Sequence, residues 1–338
     1  MAEKTILRSA TVDKHGDYIG LEQLQDYVDA VNGEHKLRYL ANHRRDLPPL
    51  GYLDHAEINQ VGLIHHAVAE PITFVNRRVA EWDADLIIED SGMPTAFVGR
   101  NKESTQISIT VDKNNFKSFE SFERTGASLK GVFNGDVKLD ASMRKSYLPD
   151  PQLVITIAGY YTIFKPLVDP LMSKIGEKIA EGIGEDVYGL SKNLLCKIAD
   201  TVRITRNNMV PKNKVLLTIF EIPGNPYIEL QIKTDRANEV VNSITEKKLA
   251  KIYEKVQDLK CKIDISEIYF VYNTKQKWEF TYLISKTGEV IGTKSSFAKR
   301  DKLVNRINLS ATKAFSVGAT GVKYDYRPTS RIAGQQKP

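Results

Sequence analysis

All six histidines of this sequence, at positions 15, 35, 43, 55, 65 and 66, fall within its first 66 residues. Imidazole titrates near neutrality and serves as a proton shuttle or metal ligand, so the crowding marks the N-terminal segment as a place to look for chemistry. The spacing gives zinc little support: there is no HExxH, and His65 and His66 point to opposite faces if they lie on a strand. Cys196 and Cys261 are the only cysteines, with no CxxC and no zinc-type Cys/His spacing. No GxxxxGKS/T, GxGxxG or GxSxG occurs, so neither a phosphate loop nor a dinucleotide site is indicated and no cofactor is expected. Carboxylates such as Glu89-Asp90 are adjacent and diverge on a strand, which leaves a two-carboxylate mechanism unsupported.

Residues 11–58 run through Asp13 and Gly16-Asp17, Ile19, a helical stretch at Leu21–Val31, His43-Arg44-Arg45, and Pro49-Leu50-Gly51. This segment resembles the start of phage prohead and capsid-scaffold maturation proteases, a β-barrel class of serine endopeptidase. The resemblance implies His43 as general base, Asp17 or Asp13 as the group that orients it, and Ser108 as nucleophile, with Ser104 as the substitute. The division of labour is chemically sound. A serine hydroxyl is a weak nucleophile until an adjacent imidazole takes its proton, and a third group must hold that imidazole in the right tautomer. The stretch Ile107-Ser108-Ile109 is also the alternation of any half-buried strand.

These residues need a scaffold. Thr5–Val12 reads as a strand, and Leu21, Leu24, Tyr27, Val28 and Val31 recur at helical spacing over 20–32. Asn32 or Gly33 is expected to close that helix in the left-handed conformation. Leu37–Leu40, Gly51–Ile58, Leu63–Phe74, Ala84–Glu89, Thr95–Gly99, Gln106–Val111 and Ser128–Leu139 read as strands. A helix over Asn115–Glu123 carries Phe116, Phe119 and Phe122, a stripe expected in the core. After the Leu148-Pro149-Asp150-Pro151 boundary, a helix over Pro166–Ala199 bears Gly176, Ala180 and Gly184 four apart. Small residues at that spacing admit a neighbouring backbone, against the neighbouring sheet or against a second copy of the chain. Val215–Glu221 and Tyr227–Lys233 flank a Pro-Gly-Asn-Pro turn. A helix from Val240 to Leu259 follows, then Ile268–Tyr272 and Trp278–Ile284 as a second hairpin.

The expected class is therefore α+β: a β-rich, barrel-like domain (1–147), a strand and glycine-bearing amphipathic helix (152–205), a ββαββ two-layer sandwich (212–293), and a basic, partly disordered tail (294–338). The 338 residues are 41% hydrophobic and 27% charged, an ordinary globular balance that excludes global disorder. The tail holds ten Lys/Arg against Asp301 and Asp325, so it alone carries +8 while the whole chain carries +6. Such a tail suits nucleic acid or another acidic surface, or serves only for solubility. The stretch 153–172 is apolar but interrupted by Lys165, Asp169 and two prolines, so no transmembrane segment is expected. With two distant cysteines and no apolar leader, a cytoplasmic location is expected. The functional expectation is a serine-endopeptidase-like protein of phage-assembly type, active or degenerate, with a protein substrate. The alternative is a non-enzymatic assembly or interaction protein, a phage structural or antiphage-defence component. It would form homo-oligomers or bind a partner through the 166–199 helix and the tail.

Overall fold

The computed structural model describes residues 4–11, 18–99, 107–142, 151–157 and 185–311. These residues form a mixed α/β structure with six α-helices and two sheets. The smaller sheet is antiparallel, in the order β1 (Thr5–Ser9), β4 (Ile64–Thr73), β3 (Gly51–Val61), β2 (Leu37–Tyr39). Helix α1 (Leu21–Asn32) lies across it and buries Leu24, Val28 and Val31 against Ala56, Ala67 and Ala69. Small alanines on the sheet let the helix sit close, so the branched side chains fill the gap.

The larger sheet has ten strands. It begins with β5 (Asn76–Ala80) and β6 (Asp83–Asp90), and β6 pairs with β14 (Val290–Thr293), the last strand among the described residues. It continues through β13 (Trp278–Ser285), β12 (Ile265–Tyr272), β11 (Tyr227–Lys233), β10 (Leu217–Ile222) and β9 (Gln152–Thr156). It ends with β7 (Ser108–Asp112) and β8 (Lys138–Ser142). Strand alternation gives this sheet two unlike faces. One presents Phe220, Leu230, Ile232, Phe270 and Leu283, and is covered by α2 (Phe119–Val132), α3 (Glu185–Asn208), α4 (Ala237–Ser243) and α5 (Glu246–Lys260). Leu129, Ile198, Val202, Val240, Ile252 and Val256 supply the helical side of that core. Each such buried side chain is worth about 1.5–3 kcal/mol. The other face presents glutamates and tyrosines, and α6 (Lys294–Ala311) packs on its β6–β14 end.

Several expectations change. The four N-terminal strands make half a barrel: β1 and β2 are the outer strands of an open sheet and do not pair with each other. The sandwich expected over 212–293 is not closed, because β10 pairs with β9 and β14 with β6, so strands from both halves share one sheet. Residues 294–311 of the expected tail form α6, anchored by Phe297 at 0% exposure. Residues 128–132 end helix α2 instead of starting a strand; Ser118 caps its start by accepting from the Ser121 N–H at 3.2 Å. Of the phenylalanine stripe, Phe116 is buried and Phe119 is 46% exposed, since residue 116 precedes the helix and three-residue spacing does not hold one face.

Thr95–Gly99 forms no strand; Phe97 makes only an isolated bridge to Lys36. Gly33 is extended (φ −62°), and the side chain of Asn32 instead binds the backbone of Ala56 both ways at 2.8 Å. That pair of bonds supports a bulge in β3 where His55 takes φ +49°. The 166–199 helix is described from Glu185 onward, continuing to Asn208; Gly176, Ala180 and Gly184 lie outside the described residues, as does 312–338. No helix among the described residues is long and apolar enough to cross a membrane.

Candidate functional site

The polar face of the large sheet is a buried charged layer. Strand register lines up Ser108, Thr156, Glu221, Glu229, Tyr269 and Tyr282 in one row across six strands. Directly paired residues project to the same side, so the row shares one face of the sheet. Glu229, Tyr269 and Tyr282 are fully buried, and the two rings stack with centroids 4.2 Å apart. A second row carries Tyr227 and Glu267.

Among the described residues, Arg45, Arg38 and Arg300 reach into the layer from outside these strands. Arg45, in the segment after the single helical turn Ala41–His43, donates to Glu221 at 2.6 Å, to the Tyr227 hydroxyl at 3.2 Å and to Glu229. Its side chain is 8% exposed, and its carbonyl accepts from the Tyr282 hydroxyl at 3.0 Å. Arg38 of β2 pairs with Glu267, with both side chains nearly buried. Arg300 of α6 grips Glu89 and also donates to the Pro49 carbonyl at 2.8 Å. Burial works against the Arg300 charge, but Glu89 and Asp301 outweigh it and raise its pKa. A buried ion pair of this kind gives little net stability over apolar packing, but breaking one partner leaves a charge stranded. The layer therefore fixes how the small sheet, the large sheet and α6 meet.

Among the described residues, no three or more His, Cys, Asp or Glu converge to hold a metal ion. His66, 1% exposed, shares a hydrogen bond with Ser9 at 2.8 Å through Nδ1, which ties β4 to β1. Tyr39 is buried with its hydroxyl unpartnered among the described residues, and desolvation raises its pKa.

Ser108 opens strand β7, paired on both sides, with Lys138 and Thr156 as its direct neighbours and 9% exposure. His43 lies in the helical turn, exposed, with φ +56°. Asp17, Asp13 and Ser104 lie outside the described residues. What links the serine and the histidine is indirect. His43 is two residues before Arg45, Arg45 bonds Glu221, and Glu221 accepts from Thr156 Oγ1 at 2.8 Å beside Ser108. With strands about 4.8 Å apart, Ser108 and Glu221 stand roughly 10 Å from each other.

Sequence reasoning missed Glu221, Glu229, Gln231 and Arg45. The signal was present in part: Glu221 and Glu229 lie four residues to either side of Asn225 in the Pro-Gly-Asn-Pro turn, which makes them cross-strand partners on one face. A separate open cleft of about 590 Å³ lies at the carboxyl ends of the parallel strands β11 and β12, lined by Lys233, Thr234, Arg236, Glu239, Tyr272 and Asn273 among others. Its charges are engaged locally, Arg236 with Glu239 at 2.6 Å and Asp235 with Arg206 at 2.5 Å. Compared with known proteins, the chain matches no family model, no curated sequence and no solved structure.

Proposed function

We propose that this chain is an assembly or interaction protein of serine-endopeptidase-like, phage-assembly type in which the serine site is degenerate. The observation that carries this reading is the position of Ser108, the first residue of β7, paired to β8 on one side and β9 on the other and 9% exposed. A nucleophile needs room for an acyl group and free N–H donors aimed at the developing oxyanion, and a nearly buried serine paired to strands on both sides is poorly placed to offer either. The same polar face supports it: Thr156, Glu221 and Arg45 fill the row beside the serine with bonds to one another. Contact with partners falls to surfaces such as the tip of the β3–β4 hairpin, where Leu63 is 95% and Val61 44% exposed. A phage or antiphage setting rests on the N-terminal resemblance alone.

The test is a fluorophosphonate probe on the full chain beside Ser108→Ala. No labelling is expected; labelling that disappears in Ser108→Ala overturns the degenerate reading in favour of an active serine hydrolase. One observation favours that second reading: the contacts from Arg45, two residues after His43, through Glu221 and Thr156 to the Ser108 position. For the surface, light scattering should give a wild-type mass above the 38.1 kDa monomer and a lower mass for Leu63→Asp. A mass of 38.1 kDa at every concentration removes self-assembly from the reading.

A further inference from the structure

The open cleft at the carboxyl ends of β11 and β12 has a second lobe. That lobe, about 530 Å³, shares Asp235, Arg236 and Glu239 with the first and adds Arg203 and Asn238. The carboxyl ends of parallel strands are where α/β sheets hold ligands, and pockets of roughly 300–1,000 Å³ suit small molecules. Both acids of the lining are already paired with arginines, Asp235 with Arg206 and Glu239 with Arg236. Lysines therefore set the sign of the cleft. Lys233 lines it, Lys275 sits between the lining residues Thr274 and Gln276, and Lys214 precedes the lining residue Val215. Lys214 and Lys275 are exposed and have no ion-pair partner among the described residues.

The surroundings are short of negative charge. Lys212 donates to the carbonyls of Arg206 and Asn207 at 3.0 and 2.7 Å. Its pKa is lowered, by burial first and then by the Arg206 charge, and Asp235 does not offset them. Nη1 of Arg206 is buried with no hydrogen-bond partner among the described residues. On the β12 side, Lys248 donates to the Tyr272 oxygen, which leaves the phenol proton for an acceptor. The Trp278 ring meets Tyr272 edge to face at 5.0 Å and holds it in place.

We propose that this cleft binds a small phosphorylated molecule, with its phosphate between the Lys233–Arg236 segment and the Lys275 hairpin. A phosphate brings nearly two negative charges and three acceptor oxygens, which suits donors arriving from separate segments better than a carboxylate does. The inference does not rest on the reading of Ser108.

The experiment is calorimetric titration of the full chain with pyrophosphate and with ADP, beside the double variant Lys214→Glu/Lys275→Glu. Both lysines are exposed, so the variant should fold. Wild type is expected to bind one equivalent of at least one probe, and the variant to bind it at least about tenfold more weakly. Lys299→Glu/Lys302→Glu is the control: it makes the same change of charge on α6, over the other face of the sheet, and should stay within about twofold of wild type. ADP binding more tightly than pyrophosphate supports a ligand with an organic body in the second lobe; equal affinities support a site for the phosphate alone. Wild type that binds neither probe overturns the proposal. So does an equal loss in the control, which would make the attraction a property of the whole chain's charge.

Discussion

Arg300 donates to Glu89 through both terminal nitrogens, at 2.7 and 2.9 Å, and so joins a helix near the end of the described chain to a strand in its first third. The two residues are separated by 211 positions, and both side chains are under 10% exposed. Removing the guanidinium leaves the buried carboxylate with the half-exposed Arg77, whose Nε stands 3.3 Å from Oε1. Arg300→Ala should therefore cost toward the lower end of a broken buried pair, about 3 kcal/mol, read from the midpoint of urea unfolding. A loss within the error of extrapolation would mean that α6 is an appendage, as the charge pattern of 294–338 led one to expect.

Two glycines are held by the backbone opposite them. Gly51 has φ +156° and a Cβ there would stand 1.9 Å from the Ile72 carbonyl oxygen; Gly288 has φ +87° and would meet the Thr95 carbonyl oxygen at 2.1 Å. Neither obstacle is a flexible side chain, so the strand or the turn itself must move. Gly288→Ala and Gly51→Ala should each lower stability by roughly 1–3 kcal/mol or more. Gly62→Ala, with φ +64° and nothing within 4 Å, should cost less than either. Equal losses for all three would show that conformation alone, not the close approach, sets the penalty.

The phenylalanine stripe divides by burial. Phe116→Ala, at 1% exposure, should cost about 3–5 kcal/mol, while Phe119→Ala, at 46%, should be far milder. The rings of Phe116 and Phe122 meet edge to face at 5.5 Å, which adds to the first figure only. Thermal melts of both variants decide it, and the reverse ranking would displace α2 from the position described here.

Acid should unfold the protein partly through Asp90. Burial opposes ionisation of Asp90, but hydrogen bonds from Asn76, Arg78 and the Gly92 N–H outweigh it and hold its pKa below the ordinary value. Because the folded pKa is depressed, the stabilisation is complete above about pH 4 and fades as pH falls through the folded value. Asp54 behaves alike, with Lys36 and the His55 N–H outweighing burial. Asp90→Asn should flatten the acid limb of stability between about pH 2 and 4. An unchanged slope there would assign the acid sensitivity to other carboxylates.

Legibility in the sequence followed the range of the forces involved. Tyr227–Lys233 was read to the residue, because alternation and the Pro-Gly-Asn-Pro turn are local signals. Strand β5 was missed because Asn76-Arg77-Arg78 is an exposed edge whose charges hide its pairing with β6. Strand β14 is four residues with a glycine, too short for a period to show. Helix α6 looked like a solvated basic run, since Arg300 finds Glu89 only after the sheet has closed. The candidate site suffered most. Nothing local marks Glu229 or Glu267 as buried, because their partners Arg45 and Arg38 come from positions 184 and 229 residues away.

The pairing of β6 with β14 also has a consequence for synthesis on the ribosome. Asp90 ends one strand and Val290 begins its partner, so roughly two hundred residues must be translated before the edge of β6 is covered. At about 5–20 residues per second, that hairpin waits on the order of 10–40 s with Leu86 and Ile88 unprotected, an interval in which nascent-chain chaperones have the edge to themselves.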